Sequence, residues 1–280
     1  NYIQRNFLLS FKYASSLVSG YEQTGLAKQY NEIYLKFLNY QLTSLFRLNA
    51  KKKYLRLLAK FRQIEFRTSL SNINKLKEIH VIYELTHTLN VALINGDFAD
   101  GVEAFLAREH RFNLIDKADN NAFVIGIYYK VACLCFGNED FKICLVYLDK
   151  ILFASNISAR PDLQIFARIL KLTALFELQE TAYIFENIRS VYGYLARNKQ
   201  LDQFSIEIMN FLRICTRIPT SELPQEFFKL REIMGKLALD KFEQRAFYYF
   251  DIISWLDSKL EQKSLSKIIK ERGLGHRIMY

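Results

Sequence analysis

Glycine and proline are scarce: 280 residues hold ten of the one and three of the other, Pro161, Pro219 and Pro224. An all-β chain of this length needs many tight turns, which draw on residues that take positive φ or preset a bend. The shortage excludes that class and favours helices joined by short polar turns. Cysteine is sparse too. Cys133, Cys135, Cys144 and Cys215 are too few for the dense cross-linking that holds small secreted domains together. They point to a reducing compartment, and a cytoplasmic location is the expectation. Nor is there a long apolar run: a Lys, Arg, Asp, Glu, Gln or Asn interrupts each one short of the roughly 18 residues that a membrane-spanning helix needs. A water-soluble chain without membrane insertion is expected. The first residue is Asn1 rather than Met, so the native start is expected to lie upstream.

Motifs for chemistry are also lacking. The glycines of "ERGLGHR" near the C-terminus follow no apolar strand and precede no helix, so they make no phosphate cradle. His80, His87, His110 and His276 include no HExxH and no Cys/His ligand spacing. His80, Glu84 and His87 fall at helical steps and share a face, but three candidate ligands on one helix do not make a metal site. Glu177 with Glu180, and Asp251 with Asp257, are carboxylates close in sequence with nothing to push their pKa values apart. No cofactor, no metal and no catalytic residue is expected; an enzyme reading would rest on Cys133 or a histidine.

Apolar residues make up half of the chain, and they recur at steps of three and four. Leu35, Leu38, Leu42, Leu45 and Phe46 form one stripe; Tyr54, Leu57, Leu58, Phe61 and Ile64 form the next; Ile79, Ile82, Tyr83 and Leu85 a third. Breaks are expected at 19–20, 49–50, 71–72, 95–96, 116–121, 137–140, 155–161, 179–181, 198–200 and 219–224. About a dozen helices result, mostly of roughly 15 to 20 residues. No break is long enough for a flexible linker, so a single elongated all-α domain over residues 1–280 is expected. The aromatic run "FYYFDIISW", Phe247–Trp255, fits core packing better than base stacking, because its residues fall at helical spacing.

Two stretches align with each other: "LTHTLNVALINGDFADGVEAF", Leu85–Phe105, and "YYKVACLCFGNEDFKICLVYL", Tyr128–Leu148. Both run helix, Gly-containing polar turn, aromatic, helix. Tyr128, Val131, Ala132, Cys135, Asp140, Phe141, Cys144, Leu148 and Ile151 resemble the tetratricopeptide repeat in the order of large, small and turn residues. Leu85, Ala92, Gly96, Asp97, Phe98, Gly101 and Phe105 take the matching places. Gly96 and Gly137 are 41 residues apart, against the family's period of about 34. The clearest repeats span about 80–155; a third pair around Phe166–Ile188 does not align. The resemblance implies antiparallel helix pairs stacked into a right-handed solenoid, with small side chains at Gly101 and Cys144 admitting a neighbouring helix. It leaves the cysteines structural, since residues two and nine apart on helices do not converge on one ion.

The resemblance further implies a non-catalytic scaffold whose concave groove holds another protein or a peptide. Asn90 and Tyr129 would point into that groove, and Lys130, Arg168 and Lys171 would sit at its rim, where they suit an acidic segment or a C-terminal carboxylate. The other reading starts from the net charge of +10, 39 basic residues against 29 acidic. Within "KKKYLRLLAKFRQIEFR", Lys51–Arg67, seven basic residues face the single acid Glu65. On a helix Lys53, Arg56, Lys60 and Arg67 share an edge while Leu57, Phe61 and Ile64 turn inward, an arrangement that suits either solvent or nucleic-acid phosphates.

Overall fold

The computed structural model describes residues 6–48, 50–65, 70–116, 121–153, 160–240 and 243–272. Among these residues all regular structure is helical, in fifteen α-helices and one short 3-10 turn, with no strand. The helical class follows the three- and four-residue spacing of the apolar side chains. The count exceeds a dozen because α2 (Leu26–Gln29) and α13 (Gln244–Phe247) are single turns of four residues. Two compact units divide the chain, one up to Asn90 and one from Val91 onward. The division falls inside the helix α5 (Leu70–Asn95), so no linker marks it.

In the first unit α1 (Phe7–Gln23) packs on α3 (Asn31–Arg47), and α3 on α4 (Lys51–Arg62). The Asn6 side chain caps α1 by accepting from Leu9 N at 3.0 Å. The break expected at 19–20 is absent: α1 runs through Gly20 and stops only where Gly25 turns left-handed at φ 74°. Leu35, Leu38, Leu42 and Leu45 of α3 meet Tyr54, Leu58 and Phe61 of α4 in the core. Each such side chain contributes about 1.5–3 kcal/mol of apolar burial. The inward face of α4 is thus rotated slightly from the expected Leu57, Phe61 and Ile64, and Leu57 and Ile64 are only partly covered.

The second unit repeats one device. After α5, α6 (Phe98–Asp116) packs on α7 (Asn121–Gly137), α7 on α8 (Phe141–Leu152), α8 on α9 (Pro161–Glu177), and α9 on both α10 (Thr181–Arg197) and α11 (Gln203–Cys215). Helices α5, α7, α9 and α10 end on a left-handed residue: Gly96 at φ 73°, Glu139 at 65°, Gln179 at 60° and Lys199 at 53°. The amide that follows returns to a carbonyl five residues back, as in Asp97 N to Ala92 O at 3.0 Å, Asp140 N to Cys135 O at 2.9 Å and Glu180 N to Leu175 O at 3.0 Å. This closure satisfies carbonyls that the helix end would orphan. It is also why so little glycine suffices: three of these four positions carry Glu, Gln or Lys, at a cost of about 1 kcal/mol each.

Five residues past the left-handed position stand Gly101, Cys144 and Ile184, all buried. A Cβ on Gly101 would lie 2.7 Å from the Ala92 Cβ and 2.8 Å from a Leu134 methyl, so only glycine lets α5, α6 and α7 approach this closely. Gly137 likewise accepts the Phe98 ring, whose edge would be 2.6 Å from an added Cβ. The remaining helices, α12 (Leu223–Leu237), α14 (Ile252–Leu260) and α15 (Leu265–Glu271), follow α11 in sequence and in contact. As expected for the aromatic run, Phe250 and Trp255 are core residues.

Candidate functional site

The face of α7 that carries Tyr129 and Cys133 is covered by the chain itself. Tyr249, in the turn between α13 and α14, accepts from the Tyr129 hydroxyl at 3.3 Å and from the Cys133 thiol at 3.8 Å through its carbonyl. Its ring stacks on Phe166 of α9 at 4.3 Å, and its hydroxyl donates to Asp162 at 2.7 Å. Phe250 meets Phe136 edge-on at 5.3 Å, and the Trp255 indole N–H donates to Glu177 at 2.5 Å. Farther along, Ser266 donates to the Gly96 carbonyl at 2.7 Å and Lys270 pairs with Asp97 at 3.0 Å. One C-terminal segment therefore crosses the ends or faces of α5, α7 and α9.

Two residues expected in a groove are buried, each in its own surroundings. Tyr129 is 5% exposed and its hydroxyl is engaged, and Asn90 is 2% exposed with its amide 3.4 Å from His87 Nδ1. Neither offers a polar group to a ligand. Lys130 is half-buried. Lys171 pairs with Asp149 at 2.6 Å, and Arg168 lies over the Tyr194 ring at 3.7 Å while donating to Gln164. Arg168 and Lys171 both keep part of their surface in solvent.

Three of the four thiols are packing residues. Cys135 and Cys215 are buried, and burial pushes each thiol up to about 12; burial also holds Cys144 well above the usual thiol range. The histidines do not converge either. His80 stacks on Phe61 at 4.6 Å and donates from Nε2 to the Phe61 carbonyl at 2.9 Å, while Glu84 faces Arg62 at 3.7 Å. His87 is fully buried, with Asn39 Oδ1 2.9 Å from Nε2 and the Tyr54 hydroxyl 3.0 Å from Nδ1. That pattern places its proton on Nε2. His110 is exposed, and His276 and Arg67 lie outside the described residues. Among the described residues no group of three or more His, Cys, Asp or Glu side chains is arranged to hold a metal ion, and no helix is long and apolar enough to cross a membrane.

A cleft of about 380 Å³ in the second unit is lined by Glu139, Phe141, Glu177, Lys259 and Lys263 among others. Its lysines are already paired: Lys259 with Glu177 at 2.6 Å, Lys263 with Glu261 at 2.9 Å and with Glu271 at 2.7 Å. Lys53, Arg56 and Lys60, by contrast, stand exposed on α4 as expected, and Lys52 joins them. Compared with known protein families, curated proteins and solved structures, the chain matches none.

Proposed function

We propose that the chain is a non-catalytic interaction scaffold, built from tetratricopeptide-like helix pairs stacked in a right-handed solenoid, whose partner is another protein or an acidic peptide. One observation carries this reading: the same turn closes the helices that end at residues 95, 137 and 177, with Gly101, Cys144 and Ile184 buried at the same offset beyond it. A chain built of one such repeated unit buries its faces by stacking and presents an extended surface for binding. The non-catalytic reading is supported by the spending of thiols and histidines on packing and internal bonds.

In such a stack the inner face of α7 and α9 is filled by Tyr249 and its neighbours, so a partner engages the rim instead. Lys130 and Lys171 are partly exposed there, and an acidic partner would compete with Asp149 for Lys171. The test recovers partners from a cell extract at low and high salt with the wild-type chain and with the Lys130→Glu, Lys171→Glu double variant. A protein recovered by the former and lost by the latter supports the reading. Identical recovery by both, or recovery of no protein at either salt, refutes it.

A further inference from the structure

Positive charge is not spread along this chain. Residues 1–90 hold fourteen Lys and Arg against five Asp and Glu, so nine of the ten net charges belong to the first unit. Helix α4 concentrates them. Lys52, Lys53, Arg56 and Lys60 are all exposed, and among the described residues none of the four forms an ion pair. Three other cations of the unit do find partners: Arg62 faces Glu84, and Lys36 and Lys75 share Glu32, while Lys12, Lys28 and Lys77 are exposed singly on other helices. At about 100° per residue, the four free cations fall within an arc of about 100°, on the opposite side of the helix from the buried Tyr54, Leu58 and Phe61.

Helix α4 tolerates these charges against its own stability. Lys51, Lys52 and Lys53 occupy the first turn, at the positive end of the helix dipole, and that turn contains no acidic residue. The capping residue Ala50 supplies no side-chain acceptor. Lys52, Arg56 and Lys60 follow at four-residue spacing, where like charges repel. Packing does not require any of this, because the helix is anchored by its other face. A row that weakens its own helix and that no ion pair neutralises among the described residues fits a partner that brings regular negative charge.

We propose that this face of α4 binds the phosphate backbone of nucleic acid without reading base sequence. Lys52, Arg56 and Lys60 advance about 6 Å per step along the helix, a linear row suited to a linear string of phosphates. Within α4 the arc holds no Asn, Gln or aromatic side chain to read or stack on bases. A membrane surface fits less well: an interfacial helix lays its apolar face into the lipid, and here that face is committed to the core. An acidic peptide would need pockets for its side chains, and the arc is made of flexible cationic ones. The proposal uses residues distinct from Lys130 and Lys171, so its failure leaves the scaffold reading standing, and the reverse.

The test measures fluorescence anisotropy of the full chain with labelled single strands and duplexes of about 20 nucleotides. Neutralising four phosphates lowers affinity about 50-fold for single strands and about 150-fold for duplexes between about 50 and about 200 mM salt. Reversing the four cations, Lys52→Glu, Lys53→Glu, Arg56→Glu and Lys60→Glu, is expected to abolish measurable binding. A set with the same net change on exposed cations of the second unit, Lys142→Glu, Arg189→Glu, Lys199→Glu and Lys236→Glu, retains it within about threefold. The corresponding Gln variants on α4 lose binding in part and serve if the Glu set misfolds, which far-ultraviolet circular dichroism decides. Unchanged binding by both α4 sets, or affinity independent of salt, overturns the proposal. So does tighter binding to phosphatidylserine vesicles or to poly-glutamate than to either nucleic acid.

Discussion

Replacing Asp162 by Asn tests how firmly the C-terminal segment is tied across the second unit. Asp162, in the first turn of α9, accepts from Arg160 Nε at 3.0 Å and Nη2 at 2.8 Å, and from the Tyr249 hydroxyl at 2.7 Å. Burial alone would raise its pKa; the Arg160 pairing, the Tyr249 hydroxyl and the Leu163 amide outweigh that and bring it down to about 2, from 3.8. With the carboxylate only 17% exposed, solvent screens this interaction less than it would a surface pair. A fall of about two pKa units corresponds to about 2 kcal/mol of stability. Because the folded value lies below the unfolded one, that stabilisation is complete above about pH 4 and is lost as the pH falls toward 2.

Asn keeps the shape and removes the charge. Urea unfolding followed by fluorescence suits the measurement, because Trp255 is the single tryptophan of the chain and sits in the unit that Asp162 serves. The Asp162→Asn variant is expected to be about 2 kcal/mol less stable than wild type at pH 7, and only about 1 kcal/mol less stable at pH 3. A gap of equal size at both values would refute the electrostatic account and leave shape as the cause. Tyr249→Phe, which removes one hydroxyl, is expected to cost about 1 kcal/mol and to narrow the pH dependence.

The remaining predictions concern packing and thiols. Gly→Ala inside a helix ordinarily stabilises by up to about 1 kcal/mol. Gly193→Ala on α10, where an added Cβ meets nothing within 4 Å, is expected to do so. Gly101→Ala is expected instead to destabilise by about 1–3 kcal/mol through its clash with Ala92 and Leu134, and a stabilised Gly101 variant in urea unfolding would show that α5, α6 and α7 are not so close. A maleimide applied to the folded protein at neutral pH should add to Cys133 alone, with Cys135, Cys144 and Cys215 modified only after denaturation; rapid multiple adducts in intact-mass spectra would contradict their burial.

Helical class and most helix ends are legible because apolar spacing and turn residues are local. The end missed at Gly25 and the break wrongly expected at Gly20 show the limit: both are glycines, and only the left-handed φ of Gly25 separates them. The third helix pair is hidden because Ile184 takes the place held by Gly101 and Cys144, so the small-residue signal disappears while the turn before it survives at Gln179. The exposure of Lys53, Arg56 and Lys60 is readable from period alone. The burial of Tyr129 is not, since it depends on Tyr249, 120 residues farther on. Its position on α7 is local information; what covers it is tertiary.

The two units use charge in opposite ways, and that difference constrains function more than the total does. In the second unit cations tie helices together: Lys259 to Glu177, Lys171 to Asp149, and Arg231 and Arg272 to Asp257. Such pairs are internal, and the unit as a whole is nearly neutral, with 25 basic residues against 24 acidic. If the basic composition served only to keep the protein in solution, mixing signs over both units would do it without self-repulsion. Instead, the excess is collected on the first unit, and α4 carries part of it on Lys52, Lys53, Arg56 and Lys60, which form no ion pair among the described residues. The second unit covers one face of α7 and α9 with its own Tyr249 and neighbouring residues, while on the first the α4 cations stand exposed. On the proposal made above, the α4 row is the surface whose chemistry already specifies the sign and spacing of what it would bind.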